Sequence, residues 1–238
     1  YGFSSATRSK IRFTGYLDAG CRVKREAALT TSRDDRRTVL CQVGGGQDGE
    51  ALATAFSQAK LPRGVQGIIL TGPFMPEAAR NRLQARVASR DNLSVVPFST
   101  APGELLDRAE RVVSMGGYNT LSEVLSTGKP ALVVPRITPR SEQLMRARCF
   151  AELGLVDMLH PDDASPAAIS AWCQQDAPLR ANIRHTVDFR GLDRLPGLVD
   201  DLVATPDPLP LIQVDRRLPG GGVHTHRRVR TRAGALGA

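Results

Sequence analysis

The sequence predicts an α/β protein with a doubly wound, mostly parallel Rossmann-like sheet, and three observations support this fold class. From residue 37 onward, short β-branched runs alternate with segments of helical pattern, which is typical of parallel βαβ units. Glycine-rich turns follow two of the apolar runs and precede helical segments. The 238 residues are enough to bury the core that such a sheet requires.

Six strands and six helices are expected, each from its own local pattern. The strands are apolar runs with many β-branched residues, at 38–43, 67–70, 93–96, 111–114, 131–134 and 155–158. The helices follow them at 49–60, 76–89, 102–108, 119–126, 141–152 and 165–174. Pro76 and Pro102 suit the first turn of a helix, while Ser141 and Ser165 are typical N-cap residues.

Three regions are expected along the chain. Residues 1–36 contain one apolar stretch, at 11–17, followed by a charged segment, and we interpret them as the end of a missing N-terminal domain plus a connector. Residues 37–200 form the Rossmann-like domain. Residues 201–238 are rich in proline, glycine and arginine and are expected to be a disordered tail, because such a composition buries too little apolar surface to offset the entropy of chain ordering.

The charge distribution argues against a nucleic-acid-binding protein. The formal net charge is +8, but six arginines between Arg216 and the C-terminus account for most of it. Without these six, 26 of the 32 basic residues remain against 24 acidic residues, and this near-neutral body lacks the electrostatic footprint that a phosphate backbone requires. The basic tail is interpreted as a solvated end, with contact to RNA or to an anionic membrane as alternatives.

The cysteines and the hydropathy pattern bear on cofactors and location. Cys21, Cys41, Cys149 and Cys173 have no metal-ligand spacing, and we interpret them as small core residues in a reducing compartment. No apolar run approaches the roughly 20 residues that a membrane-spanning helix needs. We therefore expect a cytoplasmic protein with no metal and no cofactor.

The first glycine-rich turn, at 41–50, satisfies the pattern G-x-G-x-x-G between a strand and a helix. This pattern permits a dinucleotide-binding oxidoreductase, but a ribose-binding acid should then follow the second strand, and no acid occurs there before Glu77. The glycines remain suited to a backbone cradle for a diphosphate, with Gln47 and Asp48 as polar neighbours.

The second turn, at 114–123, ends an apolar strand and opens a helix. Its glycines would let a phosphate approach the first N–H groups of the helix, where the helix dipole favours an anion. Asn119 or Thr120 is expected to cap this helix, and Thr120 and Glu123 share a helical face. Glu123 would then accept hydrogen bonds from sugar hydroxyls beside the phosphate, with a solvated glutamate as the ordinary alternative.

Two further loops leave the same edge of the predicted sheet. At 135–143, Arg136 and Arg140 offer cationic donors to a phosphate, while Glu142 and Gln143 offer the acceptors and donors that sugar hydroxyls require. After the third strand, the loop at Phe98 would present backbone groups to a nucleobase. Ordinary surface charges and core packing of the phenylalanine are the alternatives, but convergence of the loops on one edge favours a binding site.

The segments 44–49, 116–123 and 135–143, in this order and at these separations, resemble the C-terminal half of GT-B glycosyltransferases of family 28. This family includes the bacterial-type peptidoglycan N-acetylglucosaminyltransferase, and the string at 115–120 is similar to its "predicted glycosyltransferase" branch. The resemblance covers about residues 1–200. It implies that the Rossmann-like domain binds a nucleotide sugar.

The resemblance also implies a role for each loop. The donor diphosphate would be bound by the two glycine turns and the two arginines, namely Gly44, Gly45, Gly46, Gln47, Gly49, Gly116, Gly117, Asn119, Thr120, Arg136 and Arg140. Backbone groups near Phe98 would meet the nucleobase, Glu123 the ribose, and Glu142 with Gln143 the donor sugar. The sequence departs from the peptidoglycan enzyme at Gly46, where that enzyme has serine, and at Glu142, where it has glutamine.

The implied activity is hexosyl transfer from a nucleoside-diphosphate sugar, expected to be UDP-linked, to an acceptor held by the missing N-terminal half or by a partner chain. The catalytic base is expected in that half, so no catalytic residue is assigned here, and His160 is not proposed as one. Three alternatives stay open: a nucleotide-sugar epimerase of the same fold with Glu142 as its candidate acid–base group, a non-catalytic donor-binding subunit, and the dinucleotide oxidoreductase. A peripheral contact with the inner face of the membrane accompanies the expected cytoplasmic location.

Overall fold

Six short strands carry the apolar runs of the sequence and pair in parallel. The computed structural model describes residues 2–17, 37–176 and 183–204. Its strands are β1 (Thr38–Gln42), β2 (Gln66–Leu70), β3 (Leu93–Val96), β4 (Arg111–Ser114), β5 (Ala131–Val133) and β6 (Asp157–Met158). They form one sheet in the order β3-β2-β1-β4-β5-β6, which is the order of a doubly wound Rossmann-like sheet. The predicted fold class is therefore confirmed.

Helices cover both faces of the sheet. In chain order they are α1 (Ser5–Arg8), α2 (Glu50–Gln58), α3 (Glu77–Val87), α4 (Pro102–Arg108), α5 (Tyr118–Thr127), α6 (Glu142–Glu152), α7 (Pro166–Gln174), α8 (Ile183–Thr186) and α9 (Gly191–Ala204). Side chains of β1 alternate between two buried clusters: Val39 and Cys41 pack with α2, α3 and α7, whereas Leu40 packs with α4, α5 and α6. Because both faces are covered, β1 is buried along its whole length.

The predicted strands and helices between residues 38 and 174 are all present, with ends displaced by at most two residues. Pro102 lies in the first turn of α4, and the Ser165 side chain caps α7 by accepting a hydrogen bond from the Ala168 N–H. The last strand is shorter than predicted, because the N–H of Leu155 bonds to the carbonyl oxygen of Phe150 and closes the turn after α6.

The helix α9 lies outside the elements that the sequence predicts. Pro196 lies inside it, where proline removes a backbone donor and normally argues against a helix. The helix continues to Ala204, into the region predicted to be a disordered tail. The rest of that tail, residues 205–238, lies outside the described residues.

Tyr16 attaches the N-terminal segment to the domain. Its ring stacks on Tyr118 with the ring centroids 5.2 Å apart and also packs against Phe150 and Phe189. Residues 18–36 lie outside the described ranges, so the predicted domain boundary and the missing N-terminal domain stay predictions.

The cysteines agree in part with their interpretation. Cys41 and Cys173 are buried, as predicted, but Cys149 is exposed, because it lies two residues from the buried Ala147 and therefore on the other side of α6. Cys21 lies outside the described residues. Within the described ranges, no helix is long and apolar enough to cross a bilayer, and no group of three or more His, Cys, Asp or Glu residues is placed to hold a metal ion.

Candidate functional site

A cavity of about 330 Å³ opens at the carboxyl ends of β1 and β4. These strands are neighbours at the centre of the sheet, and the chain leaves them toward opposite edges, which creates a crevice between their loops. Residues from four loops line the cavity: Val43, Gly44, Gly45, Gly46, Gln47, Asp48, Phe74, Met115, Gly117, Tyr118, Asn119, Thr120 and Gln143. The three segments that the sequence analysis singled out therefore meet at one rim of the sheet.

The first glycine turn follows β1 and is held against the loop after β2. Gly46 has a φ of +91°, and a Cβ atom built on it would lie 2.0 Å from the carbonyl oxygen of Thr71. The N–H of Phe74 donates to the carbonyl oxygen of Gly45 at 2.8 Å. Space and backbone conformation both require glycine here, so the turn presents bare peptide groups to the cavity.

The second turn opens α5 without a side-chain cap. The helix begins at Tyr118 with Gly117 as its N-cap, and no side chain of the described residues bonds to that cap position. This corrects the predicted capping by Asn119 or Thr120: the helix begins before them, so both lie in its first turn, where backbone N–H groups have no partner within the helix. These N–H groups and the positive end of the helix dipole favour an anion in the cavity.

Thr120 connects the second turn to the first. Its side chain is buried, and its hydroxyl oxygen lies 3.5 Å from the position that a Cβ atom would take on Gly44. The same oxygen lies 3.9 Å from the equivalent position on Gly117. A hydroxyl group that can donate and accept hydrogen bonds therefore stands between the two glycine turns.

The loop after β5 forms a further side of the cavity. A Cβ atom on Gly116 would lie 3.0 Å from the backbone oxygen of Gln143, so these two loops are in close contact. The Oε1 atom of Gln143 accepts a hydrogen bond from the backbone N–H of Arg136 at 3.1 Å. This bond fixes the amide plane of a side chain that lines the cavity.

Arg136 joins the first and third segments through two ion pairs. Its guanidinium lies 2.8 Å from the carboxylate of Asp48 and 3.0 Å from that of Glu142. The pKa of Glu142 is lowered, first by a hydrogen bond from its own backbone N–H and then by Arg136. The two residues that the sequence analysis placed on the diphosphate and on the donor sugar are therefore bound to each other in this structure.

Arg146, on α6, is a cation of this site that the sequence analysis did not single out. Its Nη1 atom donates to the carbonyl oxygen of Gly116 at 2.8 Å, and its guanidinium carbon lies 5.6 Å from the centroid of the Tyr118 ring. The residue lies three positions after Gln143, so helical spacing was the available signal. Its charge adds to the attraction for an anion at the start of α5.

Glu123 lies on α5 one turn after Thr120, as their spacing predicts. Its carboxylate is half-buried on the helix that packs over β1. Burial raises the pKa of Glu123 and outweighs the opposite effect of the Gln42 side chain, so the pKa lies above its ordinary value.

The lining includes eight residues of the predicted site: Gly44, Gly45, Gly46, Gln47, Gly117, Asn119, Thr120 and Gln143. The predicted residues outside the lining are Gly49, Phe98, Gly116, Glu123, Arg136, Arg140 and Glu142. Gly49 and Gly116 stand at the ends of the two glycine turns and do not line the cavity. Arg140 is exposed.

Two phenylalanines stand on the loops after β2 and β3. Phe74 is 71% exposed and lines the cavity, although the sequence analysis did not propose it. Phe98 is 58% exposed, so it is not a core residue, and its loop is joined to that of Phe74 where Thr71 Oγ1 donates to the carbonyl oxygen of Pro97 at 3.1 Å. Both phenylalanines follow a strand of the parallel sheet, and this position was the sequence signal that they could lie near a ligand.

The chain belongs to the family of glycosyltransferase family 28 C-terminal domains, whose model matches residues 38–177, more than half of the chain. This match covers the sheet and the four loops that line the cavity. The resemblance inferred from the sequence is therefore confirmed.

Curated relatives carry glycosyltransferase names. A UDP-N-acetylglucosamine–N-acetylmuramyl-(pentapeptide) pyrophosphoryl-undecaprenol N-acetylglucosamine transferase of Leuconostoc citreum is 26% identical over 145 residues, which are 58% of this chain and 39% of the relative. The NDP-glycosyltransferase YjiC of Bacillus licheniformis is 38% identical over 66 residues, 28% of this chain and 16% of the relative. The chain thus spans less than half the length of these relatives.

Solved structures agree on the fold. MurG of Acinetobacter baumannii has a TM-score of 0.57 at 19% identity over 72% of this chain and 54% of that protein. The structure of S. aureus MnaA with UDP has a TM-score of 0.61 at 13% identity over 85% of this chain and 55% of that protein. At such identities the similarity establishes the Rossmann-like GT-B fold.

Proposed function

We propose that this chain is the donor-binding half of a hexosyltransferase, which holds a UDP-linked sugar in the cavity at the ends of β1 and β4. The acceptor and the catalytic base belong to an N-terminal half outside the described residues. The observation that carries the proposal is that Gly45, Gly117 and Gln143, from three separate segments, line one cavity. Its volume of about 330 Å³ lies within the range of small-molecule sites, which begins at about 300 Å³.

The diphosphate lies, in this proposal, between the first glycine turn and the start of α5. Peptide N–H groups, the Thr120 hydroxyl and the helix dipole supply its contacts, and Arg146 adds a positive charge beside Gly116. Glu123 holds the ribose hydroxyls and the Phe98 loop meets the base. Gln143, whose amide is fixed by the Arg136 backbone, contacts the donor sugar.

The chemistry required of these residues is stabilisation of a leaving group. The bond between the anomeric carbon and the diphosphate oxygen breaks, a bond from that carbon to an acceptor oxygen forms, and the acceptor proton passes to a base of the N-terminal half. Negative charge grows on the diphosphate in the transition state. Preorganised N–H groups, the α5 dipole and Arg146 oppose that charge without reorganisation, which lowers the barrier.

The uridine nucleotide is proposed from the relatives. The name of the Leuconostoc transferase specifies UDP-N-acetylglucosamine, and the S. aureus neighbour contains UDP. The acceptor of that transferase is a pyrophosphoryl-undecaprenol, a lipid. A cytoplasmic location with peripheral contact at the inner membrane face is part of the same proposal.

A panel of nucleoside diphosphates tests the proposal. Calorimetry with the full 238-residue chain should show UDP binding more tightly than ADP, GDP or dTDP, and NAD binding weakly or not at all. Preferred binding of NAD would contradict the proposal and favour the oxidoreductase. If none of these nucleotides binds, the result contradicts both the transferase proposal and the oxidoreductase alternative.

Product analysis separates the transferase from its alternatives of the same fold. Incubation with a nucleotide sugar and no acceptor should leave the sugar unchanged, because Glu142 is held ionised by Arg136 and its own backbone N–H and is a poor proton donor. An epimerised product would contradict the transferase proposal. Activity restored by adding a separate acceptor-binding chain would favour a donor-binding subunit.

Nucleotide affinity should depend on pH through Glu123. The ionised carboxylate accepts hydrogen bonds from the ribose, and its pKa lies above the ordinary 4.5, so the preference for UDP over 2′-deoxy-UDP should disappear as the pH falls, at a midpoint above 4.5. Comparing the two nucleotides cancels the titration of their phosphates. Glu123→Gln is the control, and its preference should not change with pH; a midpoint at or below 4.5 in the unsubstituted chain would contradict the prediction.

A further inference from the structure

The start of α5 is held from outside by the N-terminal segment 15–17. The ring of Tyr16 stacks on that of Tyr118, the first residue of the helix, with the ring planes 12° apart. The backbone N–H of Leu17 donates to the Tyr118 hydroxyl at 3.4 Å, and the Ser122 hydroxyl donates to the carbonyl oxygen of Leu17 at 3.0 Å. Tyr118 and Ser122 are one turn apart, so the segment contacts one face of the first turns of α5.

The segment 15–17 is itself fixed to the domain on its other side. The N–H of Tyr16 donates to the carbonyl oxygen of Asp188 at 2.7 Å, and the N–H of Gly191 donates to the carbonyl oxygen of Tyr16 at 3.1 Å. A Cβ atom on Gly191 would lie 2.8 Å from that oxygen, so glycine permits this close approach. Because Gly191 begins α9, the segment is held between α5 and the start of α9 and can act as a support.

The start of α5 needs such a support because no side chain of the described residues caps it. The first bond within the helix joins the N–H of Leu121 to the carbonyl oxygen of Gly117 at 2.9 Å. The end of a helix is the part that frays most readily. Residues 117–120 also line the cavity, and a frayed turn would not direct its N–H groups toward one ligand.

We infer that Tyr16 is a positioning residue for the donor diphosphate: its stacked ring keeps the uncapped first turn of α5 in the helical conformation that presents N–H groups to the cavity. The inference rests on the proposed function, which places the diphosphate at this turn. Tyr16 is not among the residues that line the cavity and acts through Tyr118, which is. A turn that is already ordered binds an anion without the entropic cost of ordering it, so the stack raises the affinity for the diphosphate.

Replacement of Tyr16 by leucine tests the stack. Leucine keeps an apolar side chain near Phe150 and Phe189 but removes the ring that stacks on Tyr118. Calorimetry with the full 238-residue chain should show UDP binding weakened by about threefold, which is within the contribution of an aromatic pair. Uridine, which has no phosphate, should bind with unchanged affinity in an NMR titration. Tyr16→Phe keeps the stacked ring and should bind UDP as tightly as the unsubstituted chain does.

Amide hydrogen exchange separates this role from a general loss of stability. α2 and α5 both have a glycine N-cap without a side-chain hydrogen bond, and the bond from the Ala53 N–H to the Gly49 carbonyl oxygen corresponds to the bond made by Leu121. In Tyr16→Leu the exchange of the Leu121 N–H should become faster, while that of Ala53 stays unchanged. Phe13→Ala removes an 86% exposed ring from the same N-terminal region and should change neither exchange rate nor UDP binding.

Three results overturn the inference while UDP binding by the unsubstituted chain upholds the proposed function. They are equal UDP affinity of Tyr16→Leu and the unsubstituted chain, an equal loss of affinity for UDP and for uridine, and unchanged exchange of the Leu121 N–H in Tyr16→Leu. If the unsubstituted chain does not bind UDP, the proposed function fails, and the role of Tyr16 in binding the diphosphate fails with it.

Discussion

Replacement of Gly46 by alanine is expected to lower the free energy of unfolding by about 3 kcal/mol and to abolish measurable UDP binding. Two costs combine. A non-glycine residue at its φ of +91° costs about 1–2 kcal/mol, and the added Cβ atom would lie 2.0 Å from the Thr71 carbonyl oxygen, which forces the turn away from the loop after β2. The displaced turn no longer presents its peptide groups to the cavity. Urea unfolding and calorimetry measure the two effects.

Gly64→Ala is the matched control for backbone strain. Gly64 has a φ of +77°, but nothing lies within 4 Å of a Cβ atom built on it, so its cost should be about 1 kcal/mol with UDP binding retained. The difference in free energy of unfolding between the two variants isolates the cost of the clash with Thr71. Equal stability of Gly46→Ala and Gly64→Ala would show that the first turn is not held against Thr71 in solution.

Replacement of Glu123 by alanine should weaken UDP binding by about 10–100-fold, since hydrogen bonds to a charged group contribute about 1.5–3 kcal/mol. The half-buried carboxylate is the group we place on both ribose hydroxyls. Binding of 2′-deoxy-UDP should fall less, because it has one hydroxyl fewer to lose. Calorimetry with both nucleotides at neutral pH measures the effect.

Glu152→Ala controls for the loss of a negative charge. This glutamate is exposed at the far end of α6 from the cavity, so its removal should leave both affinities unchanged. If Glu123→Ala binds UDP as tightly as the unsubstituted chain, the ribose assignment is wrong, although the diphosphate site between the two glycine turns would be unaffected by that result.

The strands and the carboxyl-edge loops were predictable because their signals are local. β3 and β4 begin and end at the predicted residues, since short β-branched runs bounded by polar residues and turns specify strands. The glycines of the first turn were recognisable for the same reason, because glycine is the residue that a backbone with positive φ favours. These features gave the α/β class and two of the three segments of the site.

The side-chain partners of charged residues were not predictable. Arg136 was expected on a phosphate, yet it lies between Asp48 and Glu142, and Asp48 is 88 positions away in the sequence. Arg146 and Phe74 belong to no motif, and their weak signals, helical spacing and a position after a strand, did not single them out. The cap of α5 was misplaced because a difference of two residues at the helix start decides whether Asn119 precedes the helix or lies inside it.

The sequence by itself determined the succession of strands and helices between residues 38 and 174, the glycine turns and the family, because each depends on residues that are near one another in the chain. The tertiary structure decided that β1 and β4 are neighbours, and hence that Gly44 faces Thr120. Strand order is a long-range property: it follows from how whole helices pack on both faces of the sheet, and no local pattern encodes it. The cavity and its charges depend on that order.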